Sequence, residues 1–437
     1  MVAPPAMTRK RYNILALIFV TVVINYMDRS NISVAAAAIS EELELTKVQL
    51  GLIFSAFGLT YSLLQIPGGI LADHVKPRLL YPIILVLWSL ATLLQGVVSS
   101  LAALIGLRAS IGVFEAPSYP TNNRIVTSWF PDRERASAIA VYTSGQFIGL
   151  AFLTPVLVAV QAYFGWRGLF IFSGLVGIAW AVVWWFLYRD PRDHETVSKA
   201  ELNHIAEGGG LIGDAPGTAT GDRVEFNLRD LREAFVHRKL WGIYLGQFCL
   251  VTLFTFFLTW FPTYLVEFRG LDFIKSGFLA SIPFLAAFMG VLLSGFVSDY
   301  LVRRGVSNEA SRKGPIILGM LLSILIIGAN YTDHTALIIF FLAIAFFGNG
   351  LASITWVFVS LLAPQRLIGL VGGVFNFIGG LGAVVSPTVI GYLAQGGDFT
   401  PALLFVGFVA FLGLCSYLFL VGKIERVEES PGLRSNL

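Results

Sequence analysis

Charged residues are scarce in this sequence: 13% of its 437 residues are Asp, Glu, Lys or Arg, where soluble domains carry about 25%. Such a chain cannot cover itself with polar surface, and its 56% hydrophobic content makes the same point. Cysteine is scarcer still. Cys249 and Cys415 both lie in apolar runs, which excludes a disulfide framework or a cysteine metal site. The five histidines all fall in polar breaks, so the usual proton carrier of neutral pH is missing from the apolar runs. The net charge of +3 is too small to argue for nucleic acid, and topology accounts for the basic residues.

What remains is a series of apolar runs, several longer than the roughly 20 residues that cross a bilayer core. Read between polar breaks, they predict twelve spans near 13–38, 49–72, 80–98, 101–122, 136–163, 167–188, 240–266, 273–298, 314–331, 335–361, 367–394 and 400–421. The expected class is an all-α polytopic membrane protein. The first run resembles a signal peptide, with Arg9–Arg11 before it and Ala35–Ala38 at its end. It is too long for a cleaved segment and carries Asp28–Arg29, so it is expected to be retained.

The longest polar break, Arg189 to Lys239, holds 18 of the chain's 57 charges. It divides the chain into an N-terminal bundle (1–188), a linker (189–239) and a C-terminal bundle (240–437), with six spans on each side. If the N-terminus is cytoplasmic, loops on that side hold 24 of the 30 Lys and Arg, as the positive-inside rule requires. Both termini and the linker are then cytoplasmic. The halves also echo each other. "GGILAD" closes span 2 with Gly69 four residues before Asp73, and "SGFVSD" closes span 8 with Gly295 four residues before Asp299. This parallel duplication is common among transporters; close helix packing is the alternative reading of the glycines.

Subtracting the loop charges leaves four ionisable groups at membrane depth: Asp28 and Arg29 in "VVINYMDRSNISVA", and Arg108 and Glu115 in span 4. Each costs about 2.5–3.5 kcal/mol at a helix centre, so such groups generally face a cavity or a partner. Two structural ion pairs locking spans 1 and 4 would account for them, but apolar packing does that work as well. Arg29 is a forked donor suited to a carboxylate. An anion taking Arg29 would leave Asp28 without its partner, so that Asp28 binds a proton, with Glu115 similarly poised against Arg108. The second half offers neutral groups instead: Gln247, "GNGLASITW" (Gly348–Trp356) and Asn376, matched in the first half by Tyr26, Tyr61 and Gln146. Amides and hydroxyls suit a polyhydroxylated ligand, and Trp356 offers its C–H groups an apolar face. Any one of them serves equally well as interhelical glue.

Two glycine patterns are set aside. "GGGLIG" at Gly208–Gly213 has dinucleotide spacing but no strand before it. The glycines of Gly369–Pro387 lie within a span, where they permit close contact and bending. No nucleophile–base pair stands at depth, so an enzyme is not expected, and neither a metal nor any other cofactor is called for.

Asn25-Tyr26-x-Asp28-Arg29, "QIPGGILAD", "GLRASIGVFEAPSYPTNNRIVTSWFP", "YTSGQFIGLAFLTP" and "FFGNGLASITW" together resemble the anion:cation symporter family of the major facilitator superfamily. The likeness runs over nearly the whole chain. It implies two pseudo-symmetric six-helix bundles working by alternating access, monomeric, in a bacterial inner membrane. It also implies proton-driven uptake of a sugar acid, a hexonate such as D-galactonate, with a hexuronate or glucarate as the alternative cargo. Asp28 and Glu115 would carry protons, Arg108 would tune them, and Arg29 would hold the substrate carboxylate. Tyr26, Tyr61, Gln146, Gln247, Ser353, Thr355, Trp356 and Asn376 would line the pocket. Lys76 stands where the superfamily's loop motif usually has glycine. A drug exporter would need a span-5 glycine–proline signature that is missing, and a non-transporting sensor would bind ligand without accumulating it.

Overall fold

The computed structural model describes residues 7–212, 228–307, 309–364 and 367–427, and the described residues are helical, with no strand among them. The helices are α1 (Lys10–Glu42), α2 (Lys47–Leu63), α3 (Gln65–His74), α4 (Pro77–Gln95), α5 (Leu101–Glu115), α6 (Ser118–Trp129), α7 (Asp132–Leu187), α8 (Lys199–Glu207), α9 (Leu228–Val236), α10 (Arg238–Thr259), α11 (Phe261–Thr263), α12 (Phe273–Arg303), α13 (Gly314–Ile324), α14 (Thr335–Leu351), α15 (Trp356–Leu362), α16 (Ile368–Leu393) and α17 (Thr400–Cys415). In hydrocarbon every backbone amide must be satisfied within its own segment, which is why apolar runs of this length become helices. Ten continuous helical stretches among the described residues are long and apolar enough to span, with Leu101–Trp129, Glu309–Tyr331, Thr335–Leu362 and Thr400–Leu420 each counted as one, and α2 with α3 makes one further, bent span. The α7 segment is two helices joined at Gly165, whose φ of 69° is open to glycine and costly for other residues. With that division the spans number twelve, as the sequence predicts.

The breaks have local causes. Pro67 lacks an N–H and its ring crowds the carbonyl four residues back, at Leu63, where α2 ends. A 3-10 turn, Ala352–Thr355, separates α14 from α15. It falls within the "GNGLASITW" stretch, and its glycines are packing sites: a methyl on Gly348 would stand 2.3 Å from Gly319 O, one on Gly319 2.4 Å from Gly348 O, and one on Gly350 2.2 Å from Ala287 O. Small residues let α14 approach both α12 and α13, as membrane helices require. The repeated motif glycines behave differently. Neither Gly69 nor Gly295 has any atom within 4 Å of where a Cβ would sit, so close packing does not explain them here.

Internal contacts group the chain into two compact units, Met1–Asn31 with Leu63–Asp222, and Ile32–Ser62 with Arg223–Leu437. These units do not follow the covalent halves. Part of the reason is the α2–α16 packing within the second unit, where a methyl on Gly51 would meet Pro387 O at 2.6 Å and one on Gly391 would meet Lys47 O at 2.4 Å.

In the first unit the linker fastens the start of α1. Buried Glu201 of α8 accepts from the backbone N–H groups of Lys10 (3.0 Å) and Arg11 (3.1 Å), from Thr8 Oγ1 (2.6 Å) and from Arg11 Nη1 (3.1 Å). The carboxylate thereby satisfies donors that the helix start leaves open. The start of α4 lies by the linker too, through Lys76 and Asp193 at 3.7 Å. Both helices therefore run away from the linker in the same direction. Residues 213–227, including the end of the glycine-rich stretch, lie outside the described residues.

Candidate functional site

All four membrane-depth charges are buried in the first unit: Asp28 and Glu115 are 0% exposed, Arg108 2% and Arg29 7%. Their pairing differs from the expected one. Arg29 Nε donates to Glu115 Oε2 at 2.8 Å, and Nη2 stands at ion-pair distance from the same oxygen, also 2.8 Å. Arg108 Nη1 donates to the Asp28 backbone carbonyl at 3.3 Å. The Asp28 carboxylate instead accepts from Trp88 Nε1 at 3.1 Å through Oδ2, while Oδ1 finds no protein partner. The physical reason is helical geometry. Neighbours in sequence point about 100° apart on a helix, so Asp28 and Arg29 do not face each other. Arg108 and Glu115 are seven residues apart, about 10 Å along α5, and it is Arg29 of α1 that takes Glu115 Oε2.

Several neighbours hold this arrangement in place. The Tyr26 ring lies under the Arg29 guanidinium, 4.8 Å from its centroid. Asn25 Nδ2 donates to Ser118 Oγ at 3.4 Å, tying α1 to α6. Gln146, half-buried, sits on α7 where Gly145 and Gly149 let that helix approach the Phe19 and Val23 carbonyls. Trp88 and Ser118 are partners that sequence reading missed. For Trp88 the available signal was a lone indole N–H in an apolar span, which must find an acceptor. Ser118 gave none.

The neutral groups of the second unit form a looser set. Thr355 Oγ1 donates to Gln247 Oε1 at 3.0 Å, which engages the amide oxygen and leaves its NH2 a donor. Trp356 is 48% exposed and packs its edge against Phe375 at 5.1 Å. Ser353 is half-buried in the 3-10 turn, Asn376 is exposed on α16, and Tyr61 stacks on Phe57 at 5.3 Å. Interrupted helices at membrane depth are tolerated where protein or a cavity covers them, and they often mark a binding site. Among the described residues no group of three or more His, Cys, Asp or Glu side chains could hold a metal ion.

Ionisable groups buried at membrane depth, as in this twelve-span helical protein, generally mark a substrate or ion pathway. The Major Facilitator Superfamily description matches residues 18–387, and the chain belongs to that superfamily: it is a membrane transporter and not an enzyme. It is 54% identical over 420 residues to the D-galactonate transporter of Escherichia coli, covering 96% of this chain and 97% of that one. It is 41% identical over 428 residues to a probable galactarate/D-glucarate transporter of Escherichia coli, covering 96% of each. Its fold is that of a bacterial homolog of the human lysosomal transporter Spinster, with a TM-score of 0.70 at 19% identity over 95% of this chain and 96% of that one. The expected family and fold class therefore hold.

Proposed function

We propose that this chain is a proton-coupled symporter that carries a sugar acid, of the D-galactonate kind, across a bacterial inner membrane with both termini on the cytoplasmic side. It would work as a monomer, by alternating access and without a cofactor. The observation that carries the reading is the buried Arg29–Glu115 pair. A substrate carboxylate seeking the Arg29 fork must displace Glu115, and an unpaired buried carboxylate is costly. A proton on Glu115 removes that cost. Anion and proton thus favour each other's binding, and that linkage is reciprocal. Asp28 is the second proton carrier, held by Trp88 and beside Arg108. Tyr26, Tyr61, Gln146, Gln247, Ser353, Thr355, Trp356 and Asn376 supply the neutral bonding that sugar hydroxyls need. The 54% identical relative named for D-galactonate supports the cargo.

A second reading, a dicarboxylic sugar acid, is favoured by the relative named for galactarate and D-glucarate. Competition separates the two, since the better cargo inhibits at lower concentration. The primary test is D-galactonate uptake into proteoliposomes under an inward proton gradient, comparing wild type with Asp28→Asn and Glu115→Gln. The expected result is concentrative uptake lost in both, with exchange or binding kept in at least one. Undiminished gradient-driven uptake in both would make the four charges a structural lock.

A further inference from the structure

Beyond the four charges, the first unit buries neutral polar side chains that no protein atom satisfies. Ser89, Thr92 and Gln95 on α4 and Asn31 on α1 are each 0% exposed. Ser89 Oγ, Thr92 Oγ1, both polar atoms of Gln95 and both of Asn31 find no protein partner. Buried polar groups left unsatisfied are uncommon and costly, and ordered water is their usual partner where protein gives none. The groups on α4 form a line that winds about the helix: Ser89, Thr92 and Gln95 recur every three residues, each the neighbour of the last, rising about 4.5 Å and turning about 60° per step. Asn31 stands one turn beyond Asp28 on α1.

The lower end of the line is Asp28. A methyl on Gly177 of α7 would stand 2.0 Å from Ser89 Oγ and 4.0 Å from Asp28 Oδ2. The two oxygens are thus within about 6 Å, a span that one bridging water can close. The residue preceding Ser89 is Trp88, whose indole already holds Oδ2. Around Asp28, α1 brings Arg29, α5 brings Arg108 and Glu115, α4 brings Trp88 and Ser89, and α7 brings Gly177. The upper end is the side away from the linker. Gln95 is the last residue of α4, and a methyl on the following Gly96 would meet Arg167 O at 2.6 Å, next to the α7 turn at Gly165.

We propose that Ser89, Thr92, Gln95 and Asn31 hold a file of water molecules through which protons reach Asp28 from the side opposite the linker. A hydronium at the Ser89 end gives its proton to the Asp28 carboxylate, forming the O–H bond and leaving neutral water. The file hands charge along without moving a side chain between sites. It explains why α4 carries these hydrogen-bonding groups where apolar residues would pack more cheaply. The inference rests on the proton-coupled reading above.

The test uses the full chain in proteoliposomes with Thr92→Val and Gln95→Leu combined, and with Thr92→Val alone, which keeps the side-chain shape. Two rates are compared: uptake of D-galactonate driven by a proton gradient, and exchange of labelled for unlabelled D-galactonate at equal pH, which moves no net proton. The combined variant is expected to slow gradient-driven uptake at least tenfold while exchange stays within twofold, and Thr92→Ser with Gln95→Asn to restore uptake. Wild-type uptake rates in both apolar variants, or an equal loss of uptake and exchange, would overturn the file. Wild-type uptake that ignores the proton gradient would instead defeat the symport reading on which the file stands.

Discussion

The first compact unit holds four charges at membrane depth, all buried and engaged with one another or with neighbouring helices. The second holds amides, hydroxyls and an indole, several of them open, with Gln247 and Thr355 bonded to each other. The difference fits the two tasks that the proposed function assigns. A buried charge pair is a device with two states, because removing one partner costs about 3–5 kcal/mol and therefore demands compensation. A neutral hydrogen bond is worth about 1 kcal/mol net and can be exchanged for one to a ligand at little cost. The first arrangement suits switching and the second suits fitting.

The largest effect expected from this comparison lies at Arg29. Arg29→Lys keeps the charge and loses the planar fork whose Nε donates to Glu115. A hydrogen bond to a charged group is worth about 1.5–3 kcal/mol, so D-galactonate should bind roughly ten- to hundredfold more weakly by calorimetry or scintillation proximity. Binding within twofold of wild type would mean that Arg29 serves Glu115 alone.

Next in size is a packing effect in the second unit. Gly348→Ala places a methyl 2.3 Å from Gly319 O, and overpacking of this kind costs about 1–3 kcal/mol. A clear drop in melting temperature is expected in detergent. Gly69→Ala, with nothing within 4 Å, should melt with the wild type. If Gly69→Ala nonetheless slows transport, that glycine serves another arrangement of the helices than the one described here.

A smaller loss is expected from the neutral pair. Thr355→Val removes the donor to Gln247 Oε1, worth about 0.5–1.5 kcal/mol. D-galactonate affinity should fall roughly two- to tenfold, with the pH dependence of uptake unchanged. A loss as large as that of Arg29→Lys, or a shifted pH profile, would break the division between switching and fitting groups.

Much of this was legible in the sequence because depth is a one-dimensional property. The shortage of charge sets the class, and the polar breaks place twelve spans. Counting loop charges then isolates Asp28, Arg29, Arg108 and Glu115 without any coordinates. Partners were not legible, because pairing depends on which helices touch. Asp28 and Arg29 are adjacent in the chain yet face different ways, so the sequence suggested a pair that the helix forbids, and Trp88 and Glu115 come from other helices. The contact units escaped it for the same reason: glycines such as Gly51 and Gly391 show that close approach is allowed, not which helix approaches.

The smallest effect lies outside the membrane-spanning helices, at a half-buried acid. Asp190 follows α7 and accepts from Tyr188 Oη at 2.9 Å through Oδ1. Burial pushes its carboxyl above the ordinary 3.8, and the Tyr188 hydrogen bond only partly opposes this. A raised carboxyl favours the neutral form in the fold. Its contribution to stability is therefore fully present below about pH 4 and is lost as pH rises through the folded value. Asp190→Asn keeps an acceptor for Tyr188 and removes the charge. Melting curves between pH 4 and 7 should show the wild type losing stability relative to the variant as pH rises, leaving the variant slightly the more stable at pH 7, with transport unaltered. A variant that loses ground instead as pH rises would mean that the Asp190 charge is held by its neighbours more firmly than burial opposes it. The contrast between a charge that switches and a charge that is merely tolerated would then have to be drawn elsewhere in the chain.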